Sequence, residues 1–320
     1  MRVYANKEEM MVELAGKSAR DVVWSATPTP LLADGALDDA GLERLCSQHQ
    51  RLGVSGLFLA GSCGEGPFLP NRQRAELVRK VRQLAGGTFH LAVQVSDTSP
   101  ARVRENIAEA AESGADSVVI AAPWLVRFVN RDFARRFFLE SLECACPVPK
   151  GIYVIAQPAE TGMDCDFWRE IAGHPQVAYL KDSSGSAEYR RAFVQVKARR
   201  PELALRTGCE FDVLSAIRDG YGGCLLGTAI FNGAMIARAI AALETGDEDA
   251  ARAWQDRSNR LLYDLFRPDI SAWMSGLKYA LRAAGLFSTE FSHLAYPLAD
   301  DDRRRIDAAL QREREHIGLC

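Results

Sequence analysis

Eight short apolar runs, each followed by an amphipathic stretch, constrain this chain more than any other feature. They are DVVWSAT (21–27), GLFLAG (56–61), HLAVQV (90–95), SVVIAA (117–122), GIYVIA (151–156), VAYLKD (177–182), LALRTG (203–208) and GCLLGT (223–228). Each is nearly all apolar and bounded by Gly, Pro or polar residues, the pattern of a strand covered on both faces. Between them lie helical patterns such as DDAGLERLCSQHQRLG, NRQRAELVRKVRQLA and SPARVRENIAEAAESG. Several open on an Asn, Ser or Asp able to cap a helix. Eight evenly spaced strand–helix units in roughly 220 residues suit an α/β fold of the closed (β/α)8 (TIM) barrel type better than an open sheet.

After about residue 245 the strand pattern stops, and only helical segments follow: DEDAARAWQDRSNRLLYDLF, ISAWMSGLKYALRAAG and ADDDRRRIDAALQREREH. The expected organisation is an N-terminal arm (1–20), a barrel (21–245) and a C-terminal helical domain (246–320). No low-complexity linker interrupts it.

Composition narrows the function classes. A net charge of −3 and a pI near 6.0 speak against a nucleic-acid or anionic-membrane partner. The first twenty residues lack a sustained apolar core, so no signal peptide is expected, and no apolar stretch reaches the ~18 residues of a membrane span. The eight cysteines are scattered, with Cys144 and Cys146 the only close pair, as in a chain kept reduced in the cytoplasm. Five histidines (His49, His90, His174, His293, His316) show no paired ligand spacing, so a metal site is not expected.

A barrel carries its chemistry at the C-terminal ends of its strands. Here those ends include Thr27, the loop GSCGE (61–65), Asp97, LKDSSG (180–185), TGCEFD (207–212) and GTAIFN (227–232), which begins with Gly227. In GSCGE, small residues around Ser62, Cys63 and Gly64 allow backbone N–H groups to converge on a carboxylate or phosphate. The alternative is a tight turn in which glycine supplies a positive φ. Lys181, at the tip of an apolar strand, is the second feature. An amine kept out of water attacks a carbonyl carbon and gives a Schiff base. The alternative is a solvated lysine, or one paired with Asp182. Together, an amine facing an anion cradle is what a 2-oxo acid requires: an imine at the keto carbon and a hold on the carboxylate.

The stretches GLFLAGSCGEGPFLPNRQRAELV, YLKDSSG and GYGGCLLGT resemble the dihydrodipicolinate synthase / N-acetylneuraminate lyase family of Schiff-base enzymes. The resemblance covers about residues 22–240 strongly and the helical tail loosely. It implies a (β/α)8 barrel with a C-terminal helical domain, often tetrameric, acting on pyruvate or a related 2-oxo acid. By position it makes Lys181 the Schiff-base lysine. Ser62 and Cys63 match the paired hydroxyl residues that bind the carboxylate, and Cys63 is the weaker donor of the two. Thr27, Gly64 and Gly227 complete the expected substrate-binding set.

The chain departs from the family pattern in several places. The proton-shuttling tyrosine of strand five corresponds to Tyr153 when counted from Lys181, but Ile155 takes its place when the Pro…Thr-Gly stretch is matched instead. The two lie on one strand face, about 6.6 Å apart at ~3.3 Å per residue. Tyr179, two residues before Lys181, is either barrel packing or a phenol that contacts the lysine. Trp124-Leu125 stands where the synthase branch has adjacent tyrosines, and Glu160 where it has a carboxylate-binding arginine. An acid there repels an amino-acid semialdehyde, so the lysine-pathway synthase itself is not expected. A neutral, polyhydroxylated or aromatic aldehyde half fits better, with Asp97, Glu160, Glu210 and Asn232 as possible hydroxyl ligands.

The expectation is therefore a cofactor-free class I lyase, aldolase or dehydratase with a 2-oxo acid and an aldehyde-type co-substrate or product, assembled as a homodimer or tetramer. The alternatives are a metal-dependent aldolase, disfavoured by the histidine spacing, and a degenerate barrel that binds a 2-oxo acid as sensor or scaffold.

Overall fold

The computed structural model describes residues 22–123, 130–155 and 162–319. Eight parallel strands close into a barrel in simple chain order, β1 pairing with β2 on one side and β8 on the other. They are β1 (Val23–Ala26), β2 (Gly56–Leu59), β3 (His90–Gln94), β4 (Ser117–Ala121), β5 (Lys150–Ile155), β6 (Val177–Ser183), β7 (Ala204–Thr207) and β8 (Gly223–Leu226). All eight expected strands are present, several a residue or two shorter than the apolar run that announced them. A strand ends where its last ladder hydrogen bond ends, whereas apolar character runs on into the packed loop.

Helices cover the barrel's outer face: α1 (Asp39–Arg51), α2 (Asn71–Ala85), α3 (Pro100–Glu112), α4 (Arg131–Leu142), α5 (Cys165–Gly173), α6 (Ala187–Arg199), α7 (Val213–Arg218) and α8 (Ala229–Glu244). Asp38 and Ser99 cap α1 and α3 by accepting from the N–H groups of Gly41 and Arg102. At α2 the expectation fails, because Pro70 holds the cap position and the Asn71 amide instead donates to Asn106 of α3 at 3.0 Å. Beyond α8 come α9 (Glu248–Phe266), α10 (Trp273–Ala283) and α11 (Asp300–Glu313). Among the described residues, no helix is long and apolar enough to cross a membrane, and the seven described cysteines are free thiols.

The N-terminal half of the barrel interior is filled by side chains. Trp24 stacks on His90 with ring centroids 4.6 Å apart, and Tyr179 meets Trp24 edge-on at 5.8 Å. The Arg206 guanidinium lies 4.0 Å above the Trp24 ring. These rings have room because their neighbours across the rung are glycines. A Cβ on Gly151 would sit 2.4 Å from the Tyr179 ring, and one on Gly56 would sit 2.4 Å from Trp24. The barrel is thus filled at its N-terminal end.

Candidate active site

Strand alternation decides what Lys181 faces. On β6, Lys181 points into the barrel while Asp182 points out, where its carboxylate accepts from the Tyr221 hydroxyl at 2.8 Å and from Ser184. The Lys181–Asp182 pairing considered from sequence therefore does not form. Lys181 is 5% exposed. Its amine lies 4.2 Å from the centroid of the Tyr153 ring and 4.9 Å from that of Phe58. Among the described residues no carboxylate comes within ion-pairing distance of it.

Tyr153 shares its rung: it is the Cα partner of Lys181 across the β5–β6 ladder. Phe58 meets the Tyr153 ring edge-on at 6.0 Å. The Tyr153 hydroxyl donates to no described residue, although the side chain is 7% exposed. Ile155 is the partner of Ser183, one layer nearer the solvent. Of the two positions the alignments offered, the one holding the phenol is level with the lysine.

Tyr179 lies elsewhere. Its hydroxyl bonds the Ser117 hydroxyl at 3.0 Å, and Ser117 also bonds His90 at 2.8 Å. Burial pushes the Tyr179 phenol above its ordinary range, the Ser117 bond and the Arg206 charge only partly opposing that rise. Two residues along a strand are one layer of the barrel, and that layer is enough to place Tyr179 in the packed floor rather than against the amine.

The GSCGE loop follows β2 and folds back on itself. Glu65 N–H donates to the Ser62 carbonyl and Gly66 N–H to the Gly61 carbonyl. The positive φ angles fall on Ala60 (54°) and Glu65 (58°), not on the glycines. Gly64 and Gly66 are instead points of close approach. A Cβ on Gly64 would meet the Thr27 carbonyl at 2.8 Å, and one on Gly66 would meet the Ala60 carbonyl at 1.7 Å. Among the described residues, neither the Ser62 hydroxyl nor the N–H groups of Ser62, Cys63 and Gly64 donate to anything.

Several expected ligands are spent on the loop's own support. The Thr27 hydroxyl donates to the Phe58 carbonyl at 3.3 Å, at the base of the loop, and keeps its acceptor lone pairs. Cys63 turns its thiol onto the Gly227 carbonyl at 3.2 Å. Burial, with the nearby Glu210 carboxylate adding to it, pushes that thiol far above the ordinary range, so it stays protonated. The Gly227 N–H donates to Glu210 at 2.5 Å, and the Thr228 hydroxyl donates to the same carboxylate. Burial pushes the Glu210 carboxyl up, against those hydrogen bonds and the Lys181 charge. Glu210 thus braces the β8 end beside Cys63, the two flanking Gly227.

Asp97 is held by Arg102 at 2.7 Å and by Asn106, while the Asn232 amide donates to Ser258 at 3.0 Å. Neither joins the Lys181 cluster in the contacts it makes. Glu160 and Trp124-Leu125 lie outside the described residues. Among those described, no three His, Cys, Asp or Glu side chains converge as metal ligands.

Sequence reasoning missed Glu65 and Lys278. Glu65 was read only as the end of a motif, yet it is fully buried and ion-paired to Lys278 of α10 at 2.7 Å. The available signal was a lysine on the otherwise apolar face of the segment ISAWMSGLKYALRAAG.

Comparison with known proteins agrees with the fold. The model of the dihydrodipicolinate synthetase family matches residues 20–313. A curated relative from Jannaschia sp. (strain CCS1), 4-hydroxy-tetrahydrodipicolinate synthase, is 26% identical over 294 residues, covering 92% of this chain and 97% of its own. The solved dihydrodipicolinate synthase of Bacteroides thetaiotaomicron superposes with a TM-score of 0.80 at 26% identity, over 91% of this chain and 98% of its own. A prophage protein of the dihydrodipicolinic acid synthase family from E. coli K12, solved in complex with pyruvate, superposes with a TM-score of 0.80 at 21% identity, over 94% of this chain and 99% of its own.

Proposed function

We propose that this chain, which belongs to the dihydrodipicolinate synthetase family, is a class I lyase, aldolase or dehydratase that forms a Schiff base between Lys181 and pyruvate or a related 2-oxo acid. The observation that carries this reading is the Lys181 amine: nearly buried, without a carboxylate partner among the described residues, and on one rung with Tyr153. In its neutral form the amine adds to the keto carbon. The carbinolamine then loses water, and the protonated imine accepts the electron pair of the bond that breaks at the neighbouring carbon. The same imine, run backwards, delivers that pair to an aldehyde carbon.

The Tyr153 hydroxyl is the group we assign to carry protons to and from these intermediates, since nothing else described engages it. Ser62 and the free N–H groups of Ser62, Cys63 and Gly64 take the substrate carboxylate. Cys63 contributes through its backbone, because its thiol is turned to Gly227. Pyruvate, the ligand of the E. coli relative, is the first 2-oxo acid to try.

Relatives of this chain carry the name of the lysine-pathway synthase. We nevertheless assign a different aldehyde half. In the sequence Glu160 stands in the region of the arginine that would hold a second carboxylate, and Trp124-Leu125 cannot relay a proton as paired tyrosines do. A homo-oligomer in the cytoplasm, with 246–320 as its helical domain, accompanies the reading.

Borohydride trapping with pyruvate, followed by peptide mass mapping, tests it. A reduced pyruvyl adduct on Lys181 is expected. Its absence with pyruvate and with longer 2-oxo acids would overturn the assignment. Turnover of pyruvate with an amino-acid semialdehyde would make the enzyme the synthase after all. An adduct without turnover of any aldehyde partner would favour the sensor or scaffold.

A further inference from the structure

The anion loop is clamped from outside the barrel. Glu65 turns its carboxylate away from the mouth, into the junction between β2 and the C-terminal helices, where it is fully buried. One oxygen pairs with the Lys278 amine at 2.7 Å. The other accepts from the Ser292 hydroxyl at 2.8 Å and from the His293 N–H at 2.7 Å. Lys278, also fully buried, donates in addition to the Thr29 carbonyl at 2.7 Å. Thr29 in turn donates its hydroxyl to the Gly64 carbonyl at 2.7 Å. A closed circuit thus runs from the loop to α10, to the segment after β1, and back to the loop.

We infer that Glu65 and Lys278 are positioning residues: by holding Glu65 in its left-handed conformation and Thr29 against Gly64, the pair sets the Ser62–Gly64 N–H groups in the geometry that receives a substrate carboxylate. This rests on the reading of Lys181 and its cradle given above. Three features make a purely stabilising role a poor account. The pair is fully desolvated, and such pairs add little net stability over an apolar replacement. It is anchored to the residue that closes the anion loop rather than to a distant part of the barrel. The residue it holds has a φ of 58°, a conformation that a non-glycine side chain keeps only when its surroundings impose it. The C-terminal helices, which also brace Glu210 through the Gln255 amide at 3.0 Å, then act on substrate binding through this ion pair.

The test uses the double variant Glu65→Gln with Lys278→Met, which leaves no unpaired buried charge, beside wild type. Single variants would each strand a charge and confuse folding with function. Labelling of Lys181 is measured by borohydride trapping against increasing pyruvate and against increasing methyl pyruvate, which has the same keto carbon without the negative charge. The positioning role predicts that half-saturation by pyruvate rises roughly tenfold, the scale of one or two weakened charge-assisted hydrogen bonds. Half-saturation by methyl pyruvate and the thermal midpoint should stay close to wild type. Equal weakening toward both probes, or no change toward either, would overturn the inference while leaving the Lys181 reading intact. No Lys181 label in the wild type with either probe would overturn both. Restoring the pair as Glu65→Asp with Lys278 native should recover part of the pyruvate affinity, and failure to do so would also count against the positioning role.

Discussion

The mouth and the floor of the barrel are built from the same materials and behave oppositely. Each has a tyrosine on neighbouring strands, a cation near aromatic faces and glycines that make room for them. In the floor, Tyr179, Ser117 and His90 form a hydrogen-bonded chain, and the Arg206 guanidinium stacks on Trp24. At the mouth, Lys181 and Tyr153 lie ring to amine, and neither polar end meets a described hydrogen-bonding partner. A satisfied polar network rigidifies a core, whereas unsatisfied groups at an opening are available to a ligand. The two layers are two residues apart on β6.

The sharpest break between the layers is Lys181→Ala. We expect loss of all imine trapping and a fall in turnover of more than about 10³-fold, with a stable barrel, because the variant removes a covalent intermediate. Peptide mapping and steady-state rates check it. Full activity in that variant would erase the distinction between the layers.

Tyr153→Phe follows, with a fall in kcat of roughly 10²- to 10³-fold while the Lys181 adduct still forms, as expected for loss of a proton carrier. The readout is trapping and kcat measured side by side. If trapping fell as steeply as kcat, Tyr153 would be acting on imine formation itself.

A pH effect on the outer face sets the range in which the comparison can be read. His49 of α1 is fully buried, bonded to the Leu45 carbonyl and the Ser25 hydroxyl at 2.8 Å each, and burial lowers its pKa to about 4. The unfolded chain takes up that proton near pH 6.5 and the folded chain does not. Stability is therefore full above about pH 6.5 and declines as pH falls toward about 4, by an amount on the order of 3 kcal/mol from this group alone. Urea denaturation at pH 7.5, 5.5 and 4.5 checks the direction, and a His49→Gln variant with an unchanged slope would assign the decline elsewhere.

Tyr179→Phe should have the smallest effect. It removes the buried hydroxyl's bonds to Ser117 and to the Val118 carbonyl, for a loss of about 1–2 kcal/mol in stability, and changes kcat by less than about threefold. A larger catalytic loss than that of Tyr153→Phe would exchange the roles of mouth and floor.

Much of this was legible before any coordinates. Lys181 stood out because a charge at the end of an apolar strand is costly, and the barrel followed from eight units of constant spacing. The placement of Asp182 could have been read from alternation alone. Cys63 was harder. Its weakness as a donor was foreseeable, but its rotation onto Gly227 depends on β8, which lies more than 150 residues away in sequence. One of the two readings open for the loop was that its glycines supply positive φ; they supply room instead, while Ala60 and Glu65 carry the left-handed conformations.

Local order in the chain determined the elements: apolar runs of strand length, helical periodicity and small residues at turns are properties of neighbouring residues, and steric and hydrophobic rules act on them directly. Periodicity could also say that Tyr153 and Ile155, or Tyr179 and Lys181, share a face. It could not say which layer of the barrel is the mouth, because depth depends on the stagger of one strand against the next, set by hydrogen bonds between distant segments. The Glu65–Lys278 pair belongs to the same class: 213 positions separate the two residues, and only the closed barrel, with its C-terminal helices packed against it, brings their charges together out of water.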